Sequence, residues 1–418
     1  MRIAMIVAGA GSMYCGACAR DADLARALIE AGQQVAVFPI YTPIRLEEDL
    51  GIEIEPLRMG GINAFLREKY PRLARAKMLN SLLDRPSLIT WASQFAVRTQ
   101  ASDLGQMTVS FLEGVDGPHG GEIERIAQDV ALFQPRIVIL ANTLLAGMID
   151  PLTRATGAPV VCQVQGEDGF LLELPEPWRG KSLLLLREQV EDASHFIAPC
   201  KVHAHEMSEL LKQPIFQFSV VPPSVKNSPN LEAKSSSKEV RIGHLSSIRR
   251  AKGLDMLIEA LSNLKDLSWD LSIRGKILEP MYYKELVRMA ESKGIAFEYG
   301  GEVTPDAKAG YLRGCDFIVL PTRLSESRGI VALEALASGT PVIAPSRGIF
   351  PELARVTGGV ALYDAPEALA DTIRSCIAQR VGWHQRGAKA AHAVSETYFP
   401  ARSAAAAEAC FQRILSAG

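Results

Sequence analysis

Residues Pro321–Pro345 read PTRLSESRGIVALEALASGTPVIAP. An apolar run, Phe317–Leu320, ends just before this block. A polar loop with Glu326 follows, then Gly329, a helical stretch Ile330–Ala337, the turn Gly339-Thr-Pro and another apolar run, Val342–Ala344. Strand, loop, helix, turn and strand in that order are half of a parallel α/β sheet. Gly329 lets a ligand approach the backbone closely. The free N–H groups of Ile330 and Val331 lie at the positive end of the helix and suit an anion. Glu326 projects from the loop, and Glu334 lies in the second helical turn, seven residues intervening. A carboxylate pair repels phosphate, so its natural partners beside an anion site are sugar hydroxyls, with a ribose suited to Glu334.

The same alternation extends outward in both directions. Further strands are predicted at Ile3–Ala8, Gln34–Ile40, Ile137–Leu140, Val160–Val164, Phe196–Ala198 and Phe216–Val221. A second series comprises Val240–Leu245, Trp269–Arg274, Ala296–Tyr299, Phe317–Leu320, Val342–Ala344 and Val360–Tyr363. Each is short, apolar on both faces and rich in Val and Ile, as suits parallel strands covered on both sides. Helices such as Cys18–Ala31 and Leu254–Leu264 lie between them. The expected fold class is therefore α/β, as doubly wound sheets. After Val221 the series breaks at PPSVKNSPNLEAKSSSKE, a linker by composition. Two Rossmann-like domains are expected, 1–225 and 226–395, facing each other across a cleft, with 396–418 as a final helix.

Bulk composition excludes several functions. Of 418 residues, 45 are Lys or Arg and 47 Asp or Glu, a net charge of −2, without the basic excess of a dedicated nucleic-acid binder. No apolar run is long enough to span a membrane. The stretch Leu66–Lys77, LREKYPRLARAK, could touch an anionic acceptor or a membrane surface, and equally suits a solvated helix face. The seven cysteines are few and scattered, which suits a reducing cytoplasm. Cys15 and Cys18 form a lone C-x-x-C without a second pair for zinc. A thiol redox protein built on them is one rival reading. Asp21-Ala-Asp23 has the form of a D-x-D metal motif but falls inside a predicted helix, so no metal is expected.

Two other blocks carry chemistry. Val240–Leu261 reads VRIGHLSSIRRAKGLDMLIEAL: a strand, a loop with Arg249 and Arg250, Lys252-Gly253, then a helix. The N-terminal turn AGAGSMYCGACARDADLARALIEAG places Gly11 and Ser12 after the first strand and closes its helix at Gly32. Its spacing is G-x-G-x4-G, and no acidic residue follows the next strand, so a nicotinamide dehydrogenase is disfavoured.

The 326–334 block resembles the E-x7-E signature of retaining glycosyltransferases of the GT-B fold, in particular glycosyltransferase family 4. The usual aromatic before the glycine is Arg328 here. Val240–Leu261 is similar to the family's diphosphate-binding region, with His244 where an arginine is usual and a longer loop. The resemblance implies a metal-independent hexosyltransferase whose nucleotide-sugar is a substrate, so no cofactor is expected. It gives Lys252 and Arg249, with Arg250 close behind, the task of stabilising the leaving diphosphate. It assigns Glu326 to the donor sugar and Glu334 to the ribose. Base contacts fall near Gly275-Lys276 and Glu302-Val303, and Gly11 and Ser12 close the site from the first domain. Where the family often has a His-Gly pair, this chain has Gln165-Gly166, which can hydrogen-bond a sugar but is no general base. His119, in Pro118-His-Gly-Gly, and Cys15 are further acceptor-side candidates, whereas His203 and His205 are expected on a helix surface. The last helix, Tyr398–Gly418, would cross back onto the first domain, as in other GT-B enzymes. Within the same fold, a nucleotide-sugar epimerase or a glycan phosphorylase is the alternative. Outside enzymes it is a sugar-nucleotide-binding protein without turnover.

Overall fold

Alternate residues of the first strand serve two different cores. Ile3, Met5 and Val7 of β1 (Arg2–Val7) face one helical layer, while Ala4 and Ile6 face the other. That two-sided burial is what a parallel strand covered by helices on both faces requires. In the computed structural model, residues 1–7, 16–40, 53–54, 101–225 and 239–417 are described.

Contacts divide the chain into two units, Met1–Pro222 with Pro400–Gly418, and Pro223–Phe399. The first unit adds β2 (Gln34–Pro39), β3 (Glu53–Ile54), β4 (Ile137–Leu140), β5 (Val160–Gln163), β6 (His195–Ala198) and β7 (Phe218–Val220). All pair in parallel, in the order β3-β2-β1-β4-β5-β6-β7. The helix Gly16–Glu30 covers one face with Leu24, Ala25, Ala27 and Leu28. The helix Pro400–Ala417 packs beside it through Ala404, Ala407, Cys410 and Phe411, a stripe at helical spacing. Ser403 Oγ fixes its start by donating to the Pro222 carbonyl at 2.7 Å. Each fully buried Ile, Leu or Phe in these layers contributes about 1.5–3 kcal/mol.

The second unit holds β8 (Val240–Leu245), β9 (Trp269–Arg274), β10 (Glu298–Tyr299), β11 (Phe317–Val319), β12 (Val342–Pro345) and β13 (Val360–Tyr363), again parallel. Their order is β10-β9-β8-β11-β12-β13. Strand order reverses between β8 and β11, and ligands of such sheets bind beyond the carboxyl ends of the strands at that switch point.

Two strand predictions are shortened by two residues or more. Phe216–Val221 becomes β7 because Gln217 N–H bonds the Pro214 carbonyl at 2.9 Å, forming a 3-10 turn that leaves Phe216 79% exposed. Ala296–Tyr299 keeps only its last two residues, and β3 was not foreseen. His203, expected on a surface, is fully buried on the helix Lys201–Leu211. It shares a stripe with Met207 and Leu211, four and eight residues on, which turns the imidazole inward. Among the described residues no helix is long and apolar enough to cross a membrane.

Candidate functional site

The loops that leave β8 and β11 carry the strongest sequence signals, and they are bonded to each other. After β8 the chain is extended at Arg249, turns through the 3-10 segment Arg250–Lys252, and reverses at Gly253 with φ +70°. Only glycine fits there: a Cβ would lie 1.9 Å from the Pro321 carbonyl oxygen at the end of β11. Arg323 completes the join. Its N–H donates to the Ala251 carbonyl at 2.9 Å and its Nη1 to the Arg250 carbonyl at 2.8 Å. The same guanidinium grips Asp255 in bidentate fashion, at 2.9 and 2.6 Å, and the Tyr282 hydroxyl donates to Asp255 at 2.5 Å. Burial raises the Asp255 pKa, but the Arg323 and Tyr282 hydrogen bonds outweigh it, and the net shift is downward.

This scaffold separates the two arginines. Arg250 turns outward, pairs with Glu285 and lies over the Tyr282 ring, 4.8 Å from its centroid. Arg249 is half-buried and its Nε has no hydrogen-bond partner among the described residues. Lys252 points the other way and pairs with Glu326 Oε1, which also accepts from Thr322 Oγ1 at 3.2 Å. The Glu326 main chain is held by Ile349 N–H, donating to its carbonyl at 2.8 Å, and by close contact with Gly348 at φ +58°. Both side chains of the pair are largely but not wholly covered, Lys252 to 18% and Glu326 to 24% exposure.

His244, in place of an arginine, is buried at the penultimate position of β8, before the loop. Its Nδ1 lies 2.8 Å from the Val319 carbonyl and its Nε2 2.7 Å from Ser246 Oγ. A carbonyl only accepts, so Nδ1 carries the proton and Ser246 donates to Nε2. Burial, the largest cause, lowers the His244 pKa to about 4, against the opposing pull of the Val319 bond. A neutral imidazole therefore replaces a permanent cation, leaving Arg249, Arg250 and Lys252 as the positive groups of this loop, with Arg250 paired to Glu285.

The helix Ile330–Ala337 begins at Gly329, φ +56°, whose carbonyl accepts from Leu333 N–H at 2.9 Å. Its opening N–H groups, Ile330 and Val331 among them, have no acceptor within the helix. One turn later Glu334 Oε1 meets Lys308 Nζ at 2.7 Å, Lys308 coming from the helix Pro305–Gly314. After β9, Gly275 lies against the β8 loop, where a Cβ would sit 1.7 Å from the Ser246 carbonyl oxygen; Lys276 is exposed and Val303 half-buried. Gly275 is bonded through its N–H to the Gly301 carbonyl at 2.7 Å and through its carbonyl to the Tyr299 hydroxyl at 2.7 Å.

In the first unit the candidates fare differently. Gln165 Nε2 donates to Asp21 Oδ1 at 2.8 Å and to the Ala141 carbonyl at 2.6 Å. Gln163 Nε2 donates to the same Asp21 oxygen at 3.1 Å. Asp21 is thus a buried anchor of its helix, and Asp23 pairs with Arg26 at 3.9 Å. Among the described residues no group of three or more His, Cys, Asp or Glu could hold a metal ion. His119 is not a cleft-lining loop residue: it is fully buried, precedes the helix Gly120–Leu132, and stacks on Phe111 with ring centroids 4.5 Å apart. Gly11, Ser12, the Cys15 and Cys18 side chains, and the basic stretch 66–77 lie outside the described residues.

Sequence reading missed three participants. Glu167 is buried beside Gln165 and accepts from Thr143 N–H at 3.0 Å and Thr143 Oγ1 at 2.6 Å. Arg323 and Lys308 act across elements distant in sequence. The position of Arg323 three residues past a predicted strand end was the one available signal, and Lys308 had none.

Residues 239–379 match the family model for glycosyl transferases group 1. The D-inositol 3-phosphate glycosyltransferase of Pseudarthrobacter chlorophenolicus is 28% identical, with 79% of this chain and 88% of that enzyme covered. Its counterpart in Arthrobacter sp. is 29% identical over 54% of this chain and 61% of that enzyme. In that match the chain spans less than two thirds of its relative. Among solved structures, Anabaena HepE in complex with UDP-glucose superposes with a TM-score of 0.65 at 17% identity, covering 99% of this chain and 98% of that one. Sucrose-phosphate synthase from Thermosynechococcus elongatus gives 0.68 at 16% identity with both chains fully covered. The fold is that of GT-B glycosyltransferases.

Proposed function

We propose that this homologue of group 1 glycosyltransferases is a retaining, metal-independent transferase. It moves a hexose from a nucleoside diphosphate donor to an acceptor hydroxyl. The observation that carries the reading is one loop pair at the β8/β11 switch point. It carries two cations, Arg249 and Lys252, the carboxylate of Glu326 paired with Lys252, and a helix whose first N–H groups, Ile330 and Val331, have no acceptor within it and whose next turn holds Glu334. A sugar nucleotide has the complementary parts. Its diphosphate needs fixed positive charge, and its sugar and ribose offer hydroxyls to carboxylates.

In this reading Lys252 leaves Glu326 for the diphosphate when the donor binds, and Glu326 takes the sugar hydroxyls. The bond from the anomeric carbon to the phosphate oxygen breaks as the acceptor oxygen bonds on the same face. The leaving phosphate oxygen takes the acceptor proton. Lys252, Arg249 and the helix N-terminus stabilise the charge that grows on the leaving group. Gly275, Lys276 and Val303 stand near the base. The UDP-glucose bound to HepE and the inositol phosphate acceptor of the curated relatives supply the first substrates to test.

The test is incubation of UDP-, GDP- and ADP-sugars with inositol 3-phosphate and simple glycoside acceptors, with EDTA present, reading the product anomer by NMR. The expected product keeps the donor's anomeric configuration and forms undiminished in EDTA. An inverted product, or full loss in EDTA restored by a divalent ion, would overturn the reading. Product without an acceptor would favour an epimerase.

A further inference from the structure

The geometry points to Lys308 as a second recognition residue for the donor ribose, forming one hydroxyl-binding edge together with Glu334. This rests on the reading of the second unit as a nucleotide site and adds a residue to it. Lys308 Nζ lies 2.7 Å from Glu334 Oε1. The two side chains are 33% and 23% exposed. Glu334 Oε2 is shielded from solvent and makes no hydrogen bond among the described residues. The carboxylate can therefore meet a ligand only through Oε1, the atom that Lys308 touches.

An ammonium has three N–H donors, and one is spent on Glu334. Oε1 keeps a further lone pair. A ribose hydroxyl placed at this edge donates to Oε1 and accepts from Nζ, so both halves of its hydrogen-bonding capacity are used. The cation has a second effect. Glu334 stands one turn from helical N–H groups suited to phosphate, where a lone carboxylate would repel the ligand. Lys308 cancels that charge and leaves the acceptor in place. A solvated surface ion pair would do neither, since such pairs contribute little, and it would make Lys308 irrelevant to nucleotide choice.

Calorimetric titrations of UDP and ADP with their 2′-deoxy and 3′-deoxy analogues distinguish the two. The wild-type protein is expected to favour a ribonucleotide over one deoxy analogue by about tenfold or more, as for a hydroxyl bonded to charged groups. Lys308→Met should weaken both, because Glu334 is left uncompensated, and the ribonucleotide more, so the ratio falls at least about threefold. Lys308→Arg should keep most of the ratio, and Lys308→Gln provides a second neutral variant if the methionine one does not fold. A neutral variant that keeps the wild-type ratio overturns the inference. If Glu334→Gln collapses the ratio while Lys308→Met does not, the ribose assignment of Glu334 stands and that of Lys308 falls. If the wild-type protein binds none of these nucleotides, the donor-site reading fails as well.

Discussion

The ammonium of Lys252 rests on the carboxylate of Glu326, so the two residues proposed to handle the two halves of the donor neutralise each other in the free protein. Each is the other's counter-ion until a diphosphate competes for the lysine. Removing Lys252 therefore has two effects: loss of the phosphate contact and an uncompensated carboxylate left behind. Lys252→Ala is expected to lower kcat/KM about 10³-fold, close to 4 kcal/mol. The Lys252→Ala, Glu326→Gln double variant should be much less impaired than the product of the single effects. Steady-state kinetics of the three variants check this coupling, and strict additivity would argue that the pair is incidental.

Arg249 and Arg250 differ in partners although they adjoin in sequence. Arg250 is committed to Glu285 and Tyr282. Arg249→Ala should weaken nucleoside diphosphate binding about tenfold to hundredfold, as for a hydrogen bond to a charged group. Arg250→Ala should change it less than about threefold, since exposed pairs are worth under about 1 kcal/mol. Titrations of the two variants side by side would reverse the assignment if Arg250 proved the costlier loss.

Gly253 joins the two loops by having no side chain. Its φ of +70° and the 1.9 Å approach of the Pro321 oxygen to a Cβ leave no conservative replacement. Gly253→Ala should cost about 2–4 kcal/mol of stability, by strain and loop displacement together. Urea unfolding measures the loss, and an unchanged midpoint would mean that the loops are not locked as described.

His244 gives the second unit an acid-sensitive stability. Its folded pKa, about 4, lies below the usual value of 6.5 because burial disfavours the charged form. Between those values the unfolded chain binds the extra proton, so stability is complete above about pH 6.5 and is lost as pH falls towards 4. The loss at full protonation is about 3 kcal/mol. His195 is shifted in the same direction, to about 4, chiefly by burial. His244→Asn should therefore flatten the slope without abolishing it. Urea midpoints at pH 7 and pH 4.5 for the two proteins test this.

Most of the strands were legible because each is an apolar run with its own boundary residues. Val240–Leu245, Trp269–Arg274 and Val360–Tyr363 match residue for residue. Phe216 misled because its apolarity fits a strand, while the Pro214 turn holds it in solvent. The places of Lys252 after one strand, and of Glu326, Gly329 and Glu334 after another, were readable because spacing within each strand–loop–helix unit fixes where they emerge. Lys308, Arg323 and the Asp21–Gln165 contact were not, since each depends on which helix or loop crosses which. His119 and His203 were misjudged for the same reason. Loop and helix positions alone do not tell an imidazole stacked on Phe111 or aligned with Met207 from a solvated one.

The central claim is that the β8/β11 loops of the second unit bind a nucleoside diphosphate. A melting series with UDP, GDP, ADP and dTDP, and with their sugars, tests it most directly. At a hundredfold excess over Kd a bound nucleotide adds about 2.7 kcal/mol. The account predicts a rise of several degrees for at least one nucleotide, lost in both Arg249→Ala and Lys252→Ala and kept in Arg250→Ala. No rise with any nucleotide, or a rise untouched by the loss of Arg249 and Lys252, would contradict it.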